Sequence, residues 1–133
     1  AMLRKAAGMR VTQIAQRAVD LDRASRFYSD LLQTLPLATY DPPGLVFFDL
    51  AGTRLLLDRV APTSLIYLAV DDIHGTVDRL RSAGVAVTSE PHVIFRHEDG
   101  TLGPPGTDEW QAFVTDSEGN TVGLVEQRPT SVG

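Results

Sequence analysis

The chain has 133 residues, 43% hydrophobic and 22% charged, with a formal net charge of −5 and no cysteine. That length suits one compact unit or two small modules sharing a core. The acidic balance excludes a nucleic-acid partner recognised through phosphate neutralisation, and the missing cysteines exclude disulfides, thiolate nucleophiles and zinc-thiolate sites.

Residues 1–8 read as an N-terminal extension, with Ala1 before Met2 resembling a cloning remnant, and the fold is expected to begin near Met9. This start has no apolar core long enough for a secretory signal. No run reaches the roughly 18 to 20 apolar residues of a bilayer span, so no membrane contact is expected and the cytoplasm is the default compartment.

Val11 to Ala18 is β-like, and Asp20 then offers a carboxylate to the free N–H groups of a helical first turn. Ala24, Phe27, Tyr28, Leu31 and Leu32 follow at helical spacing, which predicts a helix ending near Leu32 with those five on its buried stripe. A weak strand is expected from about Leu35 to Tyr40, at an edge because of Pro36. Asp41-Pro-Pro-Gly44 reads as a turn, and Leu45 to Leu50 with Thr53 to Asp58 as a hairpin.

The same order then recurs. Leu65 to Val70 predicts a strand, Asp72 caps a helix bearing Ile73, Val77 and Leu80, and Gly84 stops it. Val85 to Ser89 and His92 to Arg96 predict one strand interrupted at Pro91, and Trp110 to Thr115 pairs with Asn120 to Glu126 as a hairpin. Between them, His97 to Glu109 is polar and rich in glycine and proline, which predicts a long loop. Asp20 and Asp72 correspond at an offset of 52 (72 − 20), and Gly52 and Gly119 at 67 (119 − 52). Two modules are therefore expected, residues 9–60 and 61–127, followed by a tail over 128–133. A duplicated module builds its site from equivalent positions of both copies.

Two β-α-β-β-β modules, each helix introduced by a Val-Asp or Asp-Asp step, resemble the glyoxalase, bleomycin-resistance and extradiol-dioxygenase superfamily (vicinal oxygen chelate fold). The Phe27-Tyr28 pair before Leu31, the closing Asp116-Ser-Glu-Gly-Asn120 with Leu124-Val-Glu126, and Pro91-His-Val-Ile94 leading to Trp110-Gln-Ala-Phe113 carry the likeness. The resemblance implies an α+β fold, a cup-shaped, incompletely closed mixed sheet with helices outside, and a homodimer. It also implies a divalent metal held by His, Glu, His and Glu. Carried over residue by residue, those ligands fall on Gln13, Leu56, Leu65 and Gly123. A divalent cation needs carboxylate, imidazole or thiolate lone pairs to replace its water shell. Leucine and glycine supply none, so neither metal nor other cofactor is expected.

Strand alternation places Gln13, Ala15 and Arg17 on the face of Arg54, Leu56 and Asp58, and Leu65, Tyr67 and Ala69 on the face of Thr121, Gly123 and Val125. The opposite faces should pack under the helices. A largely apolar cup with a few polar tips suits a small organic ligand, although such positions also simply fill small cores. The candidate ligand-binding residues are Gln13, Phe48, Arg54, Leu56, Leu65, Tyr67, His92, Trp110 and Gly123. His92 is the polar candidate on a strand, though a lone histidine there is often structural, and Trp110 closes the long loop as an aromatic platform. His97, Glu98-Asp99 and Asp108-Glu109 read as parts of the solvated loop.

The expected role is binding of a small apolar or aromatic molecule in the cup, without chemistry, as the bleomycin-resistance branch of the resembled family does. The alternative is a lyase, isomerase or epimerase acting on a small acid or thioester, with His92 and Asp58 or Glu126 as its acid-base pair. A structural or regulatory partner protein is the third reading.

Overall fold

The computed structural model describes residues 9–131, so the extension over 1–8 and the last two residues of the expected tail lie outside the described residues. The first module contains β1 (Val11–Arg17), α1 (Leu21–Leu32), β2 (Ala38–Tyr40), β3 (Leu45–Leu50) and β4 (Thr53–Asp58). The second contains β5 (Leu65–Ala69), α2 (Ile73–Ser82), β6 (Ala86–His97), β7 (Thr107–Thr115) and β8 (Thr121–Pro129). Both copies are β-α-β-β-β, and the fold class is α+β as expected. The chain divides into two compact units, residues 12–66 and the remainder.

In the first module the strand order is β2-β3-β4-β1, with β4 and β1 parallel and the other pairs antiparallel. The β3–β4 hairpin turns through Ala51 and Gly52, both at positive φ (54° and 99°). Two positive φ values match the right-handed twist of the flanking strands. Asp20 caps α1 by accepting from the Arg23 amide at 3.0 Å. The helix packs Leu21, Ala24, Tyr28 and Leu32 onto Val46, Phe48, Leu55 and Leu57. The expected stripe was too wide: Phe27 and Leu31 are 60% and 61% exposed. Each lies one residue, about 100° of helical rotation, from the line that meets the sheet.

The second module repeats the connectivity as β5-β8-β7-β6, with β5 and β8 parallel. Its core joins Val70, Ile73 and Val77 to Ala112, Val114 and Leu124, with Leu68, Leu80 and Val122 packed beside them. The N-terminus of α2 has two carboxylate acceptors. Asp72 accepts from Gly75 N at 3.1 Å, and Glu126 on β8 accepts from Ile73 N at 2.8 Å.

Three boundaries correct the sequence reading. β6 is a single strand of 12 residues rather than an interrupted one, because register shifts between Ser89 and His92 absorb Pro91. β7 begins at Thr107, where the β6–β7 pairing continues through Phe95 with Glu109, Arg96 with Asp108 and His97 with Thr107. The loop is therefore confined to 98–106. β8 continues to Pro129, past the expected module end.

Candidate functional site

In the first module, the strand face turned away from α1 is fixed by register. Gln13 pairs with Arg54, Ala15 with Leu56, and Leu56 with Phe47. All five are buried. The Arg54 guanidinium lies over the Phe47 ring at 5.9 Å, and Tyr40 meets the same ring edge-on at 6.0 Å. The buried side-chain oxygen of Gln13 has no hydrogen-bond partner among the described residues. Phe48 is on the other face, wholly buried in the core under α1 with the Tyr28 ring 6.2 Å away. The expectation that it lines the ligand face is corrected: alternation along β3 puts Phe47, not Phe48, on the face of Arg54 and Leu56.

On the corresponding face of the second module, Tyr67 pairs with Gly123 and Phe113 with Gly123 from the other side. The Tyr67 ring lies flat on Gly123: a Cβ there would come within 2.6 Å of Tyr67 Cδ2 and 3.0 Å of its Cγ. Phe113 meets Tyr67 edge-on at 5.7 Å. Leu65 is also buried.

Further along the same face, a buried polar cluster surrounds the Glu109 carboxylate. Gln111 pairs with Val125 and Glu109 with Gln127, so all four point to the side of Tyr67 and Gly123. Glu109 Oε1 accepts from His97 Nε2 at 2.9 Å and from Gln127 Nε2 at 3.2 Å, while Oε2 accepts from Gln111 Nε2 at 2.7 Å. His97 is 1% exposed and Glu109 2%. The Phe95 ring meets the imidazole edge-on at 4.9 Å. Gly103 covers it: a Cβ at that residue would lie 2.8 Å from His97 Cε1 and 2.7 Å from Gln127 Nε2. His97 Nδ1 is buried and has no hydrogen-bond partner among the described residues.

The sequence model of the Glyoxalase/Bleomycin resistance protein/Dioxygenase superfamily matches residues 10–124. The chain belongs to this superfamily. Solved structures agree in fold. A hypothetical protein of Bacillus halodurans superposes with a TM-score of 0.70 at 16% identity, covering 95% of this chain and 99% of that one. A methylmalonyl-CoA epimerase of Streptomyces coelicolor gives 0.63 at 17% identity, over 92% and 98% of the two chains. A Mn(II)-bound glyoxalase of Novosphingobium aromaticivorans gives 0.61 at 19% identity, over 92% of this chain and 42% of that one. None of the curated proteins matches the chain by sequence.

The superfamily's metal does not fit the residues present. Of the four carried-over positions only Gln13 has a side-chain lone pair, and a lone amide cannot replace a cation's water shell. At the fourth, the space a ligand side chain on residue 123 needs is filled by the Tyr67 ring. Among the described residues no group of three or more His, Cys, Asp or Glu could hold a metal ion.

The remaining candidates are not assembled together. His92 is exposed, and its Nδ1 donates to the Glu90 carbonyl at 2.8 Å. The carboxylates proposed to pair with it are engaged elsewhere: Asp58 accepts from Val60 N at 2.9 Å, and Glu126 from Ile73 N and, at 3.1 Å, from Arg128 Nε. Trp110 faces α2 rather than the Tyr67 side. It packs on the helix-side core, with His74 edge-on at 5.0 Å and the Arg128 guanidinium 5.5 Å above its ring. The expected platform is thus a helix-side packing residue. The sequence reading missed His97 and Glu109. Their signal was the Thr107-Asp-Glu-Trp-Gln-Ala alternation, which extends β7 backwards and turns Glu109 to the face of Gln111.

Proposed function

We propose that this superfamily member binds a small apolar or aromatic molecule without a metal, on strand faces turned away from its helices. The observation that carries the reading is the Tyr67 ring seated on Gly123, which replaces a metal-ligand side chain by an aromatic surface. The Tyr67–Phe113 and Tyr40–Phe47 pairs and the Arg54 guanidinium over Phe47 supply further aromatic surface. Such surfaces favour flat, apolar ligands. The unpartnered Gln13 oxygen gives a ligand N–H or O–H one acceptor to find, and few polar groups among many apolar ones is the composition of organic-ligand sites.

A thermal-shift screen of planar antibiotics against short acyl-CoA thioesters tests the proposal. The expected result is a concentration-dependent rise in melting temperature with a planar antibiotic, reduced in Tyr67→Leu. A shift with the thioesters alone would move the assignment to the lyase, isomerase or epimerase reading. No shift with any probe would leave a structural or regulatory partner protein as the better account.

A further inference from the structure

The His97–Glu109 pair is larger in chemical consequence than binding requires. An ionised carboxylate only accepts hydrogen bonds, and a neutral imidazole has one donor nitrogen and one acceptor nitrogen. With two glutamine amides already directed at the Glu109 oxygens, His97 Nε2 must be the nitrogen that donates to it. Nδ1 is then left as a bare lone pair, buried and without a partner among the described residues. A carboxylate fixing one ring nitrogen while the other stays free is the arrangement by which histidine serves as a general base. The surroundings specify the kind of proton. The ring's neighbours are the Glu109 carboxylate and the Phe95 ring, with Gly103 over it. The imidazole is 1% exposed, and a base shielded from solvent in this way favours removal of a proton from carbon.

We propose that His97 is a metal-independent catalytic base for a small, flat carbon acid, with Glu109 as its positioning residue and the Gly103 segment as the roof that substrate displaces. Nδ1 takes a proton from a C–H bond beside an electron-withdrawing group. The bond's electron pair passes into that group, and the imidazolium formed is neutralised by the Glu109 carboxylate. The proton then returns to carbon or leaves to solvent. Gly103 is the residue that allows this closeness, since any side chain there would strike the imidazole and Gln127. The role goes beyond ligand binding and stands on residues separate from Gln13 and Tyr67.

The probe is 5-nitrobenzisoxazole. Loss of its ring C–H proton breaks the N–O bond, forms a nitrile and releases a coloured phenolate, with the proton passing on to solvent. The full-length protein should accelerate this about 10²-fold over an equal concentration of free imidazole. His97→Ala should return the rate to the imidazole background, Glu109→Gln should lower it about tenfold, and His74→Ala should leave it unchanged. A wild-type rate no higher than that of His97→Ala would overturn the proposal. Nitrogen NMR of the unmodified protein guards against variants that fail to fold. The expected state of His97 is protonated Nε2 with bare Nδ1, and this preference should weaken in Glu109→Gln. A proton on Nδ1 in the neutral ring would equally overturn it.

Discussion

Gly123 shows how a single side chain can exclude a cofactor. The resemblance carries a metal-ligand position of the superfamily onto this residue, but a Cβ there would come within 2.6 Å of Tyr67 Cδ2. Gly123→Ala should therefore destabilise by about 1–3 kcal/mol through overpacking. Tyr67→Leu in the same chain should recover part of that loss, with a coupling of at least about 0.5 kcal/mol in urea denaturation. Strict additivity of the two substitutions would mean that the ring does not rest on the glycine. Glu109 sets a second expectation. Glu109→Ala strands His97 Nε2 and two glutamine amides in a buried place, and each buried donor left unpaired costs about 1–3 kcal/mol. Glu109→Gln keeps an acceptor and should cost less. At this scale the sequence was partly legible. The ligand positions could be located because Gly52, Gly119, Asp20 and Asp72 act as landmarks. The buried acid could not, because Asp108-Glu109 beside Pro104-Pro105-Gly106 has the composition of a solvated loop, and only the pairing of Glu109 with Phe95 and Gln127 turns it inward.

At the scale of elements, helix caps and hairpins were the most legible parts, since they depend on side chains within four residues of the backbone they serve. Asp72→Ala should cost about 1 kcal/mol, read as a fall in urea midpoint. The loss should grow when Glu126→Gln also weakens the acceptor that Ile73 N uses on β8. An unchanged midpoint in Asp72→Ala would show that Glu126 alone holds the helix start. The turn before β8 makes a pH-dependent prediction. The Asn120 side-chain amide, then the Asn120 and Glu118 backbone amides, hold the Asp116 carboxyl below its ordinary value of 3.8. A folded value lower than the unfolded one gives stability that is complete above 3.8 and disappears as pH falls through the folded value. Wild type should therefore exceed Asp116→Ala at neutral pH, and the gap should close in acid below 3.8; a gap that stays constant would refute the assignment. What the local signals could not give was length. β6 and β7 pair beyond Pro91 and into the expected loop, because cross-strand partners, not composition, decide where a hairpin ends. The same limit applies to α1, where Phe27 and Leu31 share the apolar period but not the line that faces β3 and β4.

At the scale of the whole molecule, the order of recurring words from Val11 to Glu126 was enough to indicate the superfamily, and the match over residues 10–124 establishes it. Fold is shared across many chemistries, so membership leaves activity open. What separates this chain from its metal-binding relatives is the donor set, and that difference has a thermodynamic signature. An ion that binds only the folded state stabilises it by about 2.7 kcal/mol at a hundredfold its dissociation constant. For a domain of this size that is a shift of roughly 4 °C for each kcal/mol. A relative with an intact site should gain that shift with Mn²⁺ or Zn²⁺ and lose it in chelator. Here the amide of Gln13, the aliphatic Leu56 and Leu65, and Gly123 under the Tyr67 ring give the ion nothing to hold. The melting temperature should therefore be the same in EDTA, in Mn²⁺ and in Zn²⁺, while a planar organic ligand raises it. A chelator-sensitive melting temperature together with one tightly held metal per chain would require a coordination shell built from residues other than those four, and would replace the metal-independent reading of both the binding faces and the His97 base.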